Sequence, residues 1–174
     1  MKLIYSVHKY DVLIFTCLIN AGIYRNLALI ARYISRTGDG HLYIALAVIL
    51  YLVEGTQSPF LQTVLLAFLL ERPLYFVMKN SFKRNRPPTA INNYHSLITP
   101  SDKFSFPSGH TSAAFMMATI IGFFIPIFLL PLLLWAGLVG FSRVVLGVHF
   151  PTDILVGMAL GVSVACFSIN QIVI

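Results

Sequence analysis

Long apolar runs separated by short polar clusters fill the second two thirds of this chain, and that alternation limits its folds more than any other feature. Phe60 to Met78, Thr111 to Ile125, Leu132 to Phe141 and Ile154 to about Ile174 are predominantly apolar. Backbone in hydrocarbon must satisfy its own hydrogen bonds, so such runs are expected to cross a bilayer as helices. Between Lys79 and Asp153 stand three polar clusters. They are Lys79-Asn-Ser-Phe-Lys83-Arg84-Asn-Arg86-Pro87, then Pro107-Ser108-Gly109-His110, then Ser142-Arg143 followed by His149 and Asp153. Pro126 and Pro131 interrupt the apolar stretch that follows His110, so Thr111 to Ile125 and Leu132 to Phe141 read as a helical hairpin. His110 and the pair Arg143/His149 then return to one membrane face. Lys79 and Arg86, which end and follow the Phe60 to Met78 run, emerge there too, and the spacing predicts one cationic pocket bearing two histidines.

Composition narrows the class. Of 174 residues, 57% are hydrophobic and 10% charged, against about 25% charged in a soluble domain. The expected fold is all-α, a polytopic transmembrane helical bundle with interfacial N-terminal helices, and residues 1–174 read as one membrane-embedded domain. A net charge of +6 raises nucleic acid as a partner. Many of the basic residues nevertheless sit in Lys79 to Lys103 beside the histidines, which favours a lipid phosphate headgroup and membrane lipids over nucleic acid. Cys17 and Cys166 sit in apolar runs and read as small buried hydrophobes, with neither metal nor disulfide spacing.

The first 40 residues are the least constrained. Asp11 to Gly22 is short for a span, and Tyr24 to Ser35 carries Arg25 and Arg32 among apolar residues, as an amphipathic interfacial helix does; one short span is the alternative. Lys2 precedes a short apolar patch broken by His8, Lys9 and Asp11, which does not make a convincing cleavable signal. Arg36 to Gly40 is a turn by its glycines and Asp39. His41 to Val53 is a short hydrophobic segment, extendable through Thr56. Four spans are expected beside the ambiguous N-terminal region. Glu71 and Arg72 are charges at membrane depth; as helix neighbours they are expected to point apart, each toward another helix or the interface. Asn80 to Phe106 is a long polar loop of the length that serves as a lid or binding segment. Gly157 and Gly161 have the spacing that lets helices approach closely.

The polar clusters suggest phosphoryl chemistry. Ser108 stands in N-cap position before the Thr111 helix, whose free amides and positive dipole end make an anion site. Pro151 suits the first position of the last helix, so His149 lies just ahead of it and Asp153 in its first turn. A carboxylate there can hold one imidazole nitrogen and leave the other unprotonated, a nucleophile with its orienter. Two histidines and a carboxylate also suit zinc or iron, but Lys79, Arg86 and Arg143 repel a cation and match a phosphoryl group instead. No metal or other cofactor is expected. His8, His41 and His95 read as structural or solvated, and Lys83 and Arg84 as a solvated loop face.

Lys79, six residues, Arg86-Pro87; Pro107-Ser108-Gly109-His110; and Ser142-Arg143, five residues, His149, three residues, Asp153 together resemble the signature of the type 2 phosphatidic acid phosphatase superfamily, or lipid phosphate phosphatases, with all three parts complete and in order. The resemblance covers about residue 60 to the C-terminus, the expected catalytic core; residues 1–40 match loosely and read as shortened relative to six-span members. It implies that His149 attacks phosphorus to form a phosphohistidine, that Asp153 orients it, and that His110 protonates the leaving oxygen. Lys79, Arg86, Ser108, Gly109 and Arg143 are implied to bind the substrate phosphate. The expected activity is metal-independent hydrolysis of a phosphatidic acid, phosphatidylglycerophosphate or polyprenyl diphosphate type of lipid. The alternatives are a lipid phosphotransferase using the same residues, or a non-enzymatic transport or scaffold protein. By resemblance to bacterial members the protein is expected in the plasma membrane with the pocket facing the periplasm or outside. The sequence gives no oligomeric state.

Overall fold

A computed structural model describes residues 2–100 and 102–174. The chain is all-α, and its elements follow in order as α1 (Lys2–Ile19), α2 (Tyr24–Thr37), α3 (His41–Glu54), α4 (Pro59–Phe82), the single turn α5 (Pro87–Ala90), α6 (Gly109–Phe124), α7 (Leu129–Val145) and α8 (Pro151–Ile172). Four helical stretches are long and apolar enough to cross a membrane: Asn26–Glu54, Pro59–Phe82, Pro126–Val145 and Pro151–Ile172; the apolar helix Gly109–Phe124 is shorter. This is a multi-pass membrane protein. The first stretch joins α2 to α3 across residues 38–40; of the turn expected at Arg36 to Gly40, Arg36 and Thr37 still belong to α2.

Local chemistry sets the helix ends. Ser58 accepts a hydrogen bond from the Leu61 amide at 3.2 Å, and Pro59 occupies the first turn of α4, where its missing N–H is one the helix would leave free anyway. The helix ends at Lys83, whose φ of 46° is left-handed and whose amide closes on the Lys79 carbonyl. The hairpin after His110 forms as expected, with one difference. Pro126 opens a 3-10 turn, Pro126–Phe128, between α6 and α7, but Pro131 lies in the first turn of α7 and breaks nothing.

Helices α6 and α8 form the centre. A methyl group at Gly157 would lie 2.6 Å from the Ser108 carbonyl oxygen, and one at Gly140 2.7 Å from Ile154 Cγ2, so α7 and α8 need glycine at these crossings to lie flush against their neighbours. Small and flexible residues of α6 fill the space between, with Ala114, Met116, Ala118 and Ile120 fully buried. Leu69, Leu134, Leu155 and Phe167 instead point outward from the bundle, as a lipid-facing surface requires. Cys17 and Cys166 are also exposed, contrary to the expectation of burial: in an all-apolar helix the sequence does not reveal which face meets lipid.

The N-terminal helices pack on the bundle. Helix α2 lies along α7 and α1 reaches α8; Tyr24 donates to the Val145 carbonyl at 3.0 Å and Arg32 to the Leu97 carbonyl at 2.9 Å. Glu71 and Arg72 depart from the expectation of separate partners. They bond each other, Arg72 Nε to Glu71 Oε2 at 2.5 Å, because Glu71 is fully buried and a carboxylate at that depth is costly without a cation beside it.

Candidate active site

The three polar clusters converge at one end of α4, α6, α7 and α8. His149 sits in the short link between α7 and α8, with its ring buried. Arg86 Nη1 lies 3.5 Å from His149 Nε2 and donates to the Val148 carbonyl at 2.6 Å. A guanidinium has only donors, so the facing Nε2 is the unprotonated nitrogen and the ring proton belongs on Nδ1. That nitrogen faces Asp153 Oδ2 at 3.6 Å, longer than a direct hydrogen bond. Asp153 is instead fixed by the Phe150 amide at 2.8 Å, as a helix cap, and by Arg84 Nη1 at 2.8 Å. Burial drives the His149 pKa down to about 4 against the pull of the carboxylate, so the imidazole is neutral at pH 7 and its lone pair is free.

Lys79 and Arg86 are both buried, and both grip Asp102. Lys79 Nζ lies 2.6 Å from Asp102 Oδ2 and Arg86 Nη2 2.5 Å from Oδ1. Tyr75 donates to Asp102 Oδ2 at 3.1 Å and also bonds Lys79 Nζ. Burial alone would raise the Asp102 carboxyl, but the hydrogen bonds and charges of Lys79 and Arg86 prevail and hold it below its ordinary value. Two cations thus present themselves to a two-oxygen anion with the spacing that a phosphoryl group offers.

Ser108 stands at the N-cap of α6, yet its hydroxyl bonds Thr111 Oγ1 at 2.9 Å rather than a backbone amide. The first amides of α6 therefore remain uncapped, and the dipole end favours an anion there. The Ser108 amide itself donates to the Asp153 carbonyl at 3.0 Å and ties α6 to α8. Gly109 lies against Tyr75, whose ring a methyl group would meet at 3.0 Å. His110 Nε2 is 3.0 Å from Asp39 Oδ1. Arg143 is buried on α7 and donates to Ser35 Oγ of α2 at 2.7 Å, while its Nε–H has no acceptor among the described residues.

Several contributors escape a reading of the sequence. Asp102, Tyr75, Asp39 and Ser35 each hold a member of the three clusters. Tyr75 lies four residues before Lys79 on the same helical face, which is a signal; Asp39 and Ser35 have none in the local sequence. Arg84 corrects the expectation of a solvated loop face. It is 18% exposed and bridges two buried carboxylates, with Asp11 Oδ2 at 2.5 Å and Asp153 Oδ1 at 2.8 Å, while its guanidinium lies 4.6 Å from the Phe150 ring centre. The carboxylates at the site are thus each committed: Asp153 to Arg84, Asp102 to Lys79 and Arg86, Asp39 to His110. A donor set so occupied suits an anion better than a metal ion.

Residues 59–173 match the PAP2 superfamily, and the chain belongs to that family. It is 38% identical over 95 residues to decaprenylphosphoryl-5-phosphoribose phosphatase of Mycobacterium tuberculosis, covering 51% of this chain and 48% of the relative. It is 39% identical over 109 residues to phosphatidylglycerophosphatase B of Bacillus subtilis, covering 56% and 50%. The chain spans about half the length of these curated relatives. Among solved structures, Aquifex aeolicus LpxE superposes with a TM-score of 0.79 at 28% identity, over 91% of this chain and 94% of that one.

Proposed function

We propose that residues 1–174 form one membrane-embedded domain that hydrolyses the phosphate of a lipid through a phosphohistidine. The observation that carries the reading is the 3.5 Å approach of Arg86 Nη1 to His149 Nε2, which sets the unprotonated nitrogen beside the cations that would hold a phosphoryl group. Lys79, Arg86, Arg143, Ser108 through its hydroxyl and Gly109 through its amide bind the phosphate and stabilise the charge on its equatorial oxygens. His149 Nε2 attacks phosphorus as the bond to the lipid oxygen breaks. His110, kept close to Asp39, gives its proton to that oxygen, and Asp153 stabilises the charge that develops on the His149 ring. Water, deprotonated by His110, then cleaves the phosphorus–nitrogen bond and releases phosphate. The phosphate charges are met by protein cations alone, so no metal enters a step. The two curated relatives, named for a polyprenyl-linked phosphate and a phosphatidylglycerophosphate, support a lipid substrate. The site faces the periplasm or outside of a bacterial plasma membrane, where such headgroups are exposed.

The test is phosphate release by purified protein from phosphatidic acid, phosphatidylglycerophosphate, a polyprenyl diphosphate and lipid A. At least one supports turnover that survives EDTA and is inhibited by orthovanadate, and His149→Ala abolishes it. Turnover retained in that variant, or dependent on added metal, overturns the mechanism.

A further inference from the structure

A cavity of about 960 Å³ opens beside the site and runs between α3 and α4. One end is polar, with Gly109, His110, Asp102 and Tyr75; the other is apolar, walled by Ala47, Val48, Leu61 and Val64. Between them stand Tyr43 of α3 and Arg72 of α4. Tyr43 is 7% exposed and its hydroxyl has no partner among the described residues. Arg72 Nε and Nη2 both lie 2.5 Å from Glu71 Oε2, and Glu71 Oε1 has no partner among the described residues. The Arg72 guanidinium lies 5.0 Å from the ring centre of Tyr75, which touches the Lys79 and Asp102 pair. A buried hydroxyl without a partner is unfavourable unless a ligand completes it, and the Arg72 guanidinium keeps further N–H groups to offer beside it.

We propose that Tyr43 and Arg72 form a second polar subsite that receives the acyl-ester carbonyl oxygens of a glycerolipid. The inference rests on the lipid phosphatase reading. Arg72 is seven residues before Lys79, about 10 Å along α4, and its long side chain and the glycerol spacer close that distance between them. With phosphate at Lys79 and Arg86, the ester carbonyls fall beside Tyr43 and Arg72, which line the cavity and each carry hydrogen to donate, and the acyl chains continue into the apolar groove. Carbonyl oxygens accept from both donors. A plain hydrocarbon chain in the same place accepts from neither, so the subsite selects for esters.

Dioctanoyl phosphatidic acid and its dioctyl ether analogue isolate this term, since they differ only in the carbonyls. The wild type favours the diester about fivefold in kcat/KM, mainly through KM, as expected for one or two hydrogen bonds. Tyr43→Phe removes a hydroxyl that bonds nothing among the described residues and keeps the fold; the charge-matched Glu71→Gln/Arg72→Met variant removes the other donor without stranding a carboxylate. Each brings the preference near onefold. Equal use of the two lipids by the wild type, or an unchanged preference in both variants, overturns the proposal. A second measurement needs no turnover: dioctanoylglycerol raises the thermal midpoint of the wild type more than dioctylglycerol ether does, and the difference disappears in Tyr43→Phe. A difference that persists there overturns it as well. Phosphate release with no ester preference refutes the subsite alone; an ester-dependent midpoint shift without phosphate release from any lipid refutes the phosphatase reading and leaves the subsite.

Discussion

Arg84→Gln should unsettle the protein although Arg84 lies outside the residues that meet the phosphate. Its guanidinium joins Asp11 of α1 to Asp153 of α8, and those carboxylates are 1% and 0% exposed. Thr152 bonds Asp11 through its amide at 3.0 Å and through its hydroxyl, and its hydroxyl also receives Arg84 Nη1 at 2.6 Å. Removing the cation leaves two buried carboxylates facing each other across one threonine. Stripping one partner from a buried pair costs about 3 to 5 kcal/mol; the two pairs share one guanidinium and do not add, and glutamine retains one donor, so ~3 kcal/mol is expected. For a chain of this length that lowers the thermal midpoint by about 6 to 12 °C. Melting in detergent, followed by circular dichroism, measures it. Adding Asp11→Asn to Arg84→Gln removes one stranded charge and should recover about half of the loss, whereas Asp11→Asn alone is destabilising. A midpoint within about 2 °C of wild type for Arg84→Gln, or no recovery in the double variant, would refute the bridging role.

Asp102→Asn removes the carboxylate that Lys79 and Arg86 hold at 2.6 and 2.5 Å, an anion that an incoming phosphate must displace. Orthovanadate should then inhibit about fivefold more tightly, the modest figure reflecting the partial exposure of Asp102; weaker inhibition would count against competition for the cradle. The acid limb of kcat/KM should lie near pH 4, where His149 protonates, rather than near 6.5. For stability the sign follows from that lowered value: the unfolded state binds the proton first, so the contribution of His149 is present above about pH 6.5 and is lost as pH falls toward 4, at up to ~1.4 kcal/mol per unit. A His149→Gln variant whose midpoint shows the same pH dependence between those values would contradict it.

The transmembrane core was readable because its information is local. Run lengths placed α4, α6, α7 and α8, the spacing of Gly157 and Gly161 announced a close approach by α8 without saying to which helix, and Pro151 and Asp153 marked the start of α8. The positions of Lys79, Arg86, His110, Arg143 and His149 at one end of the bundle follow from those lengths and a hairpin. Arg84, Asp39 and Ser35 were not readable, because their partners lie far away in sequence: Asp11 is 73 residues from Arg84, Asp39 is 71 from His110, and Ser35 is 108 from Arg143. Nothing near Arg84 distinguishes a bridging guanidinium from a solvated one. Asp102 shows the intermediate case, the acidic residue in a loop crowded with cations, which composition hints at and only packing places. The Glu71 and Arg72 pair failed for a different reason, since the rule that neighbours diverge holds for Cβ directions and not for the ends of long side chains.

The central claim is that His149 Nε2 forms a bond to phosphorus. Protein mixed with a radiolabelled lipid phosphate and quenched in alkali within one turnover should retain label that withstands base, is lost in acid, and maps by peptide sequencing to residue 149. His110→Ala, which slows hydrolysis of the intermediate, should retain more label when the leaving group needs no proton. Label on any other residue, or none under conditions of demonstrated turnover, would contradict the account.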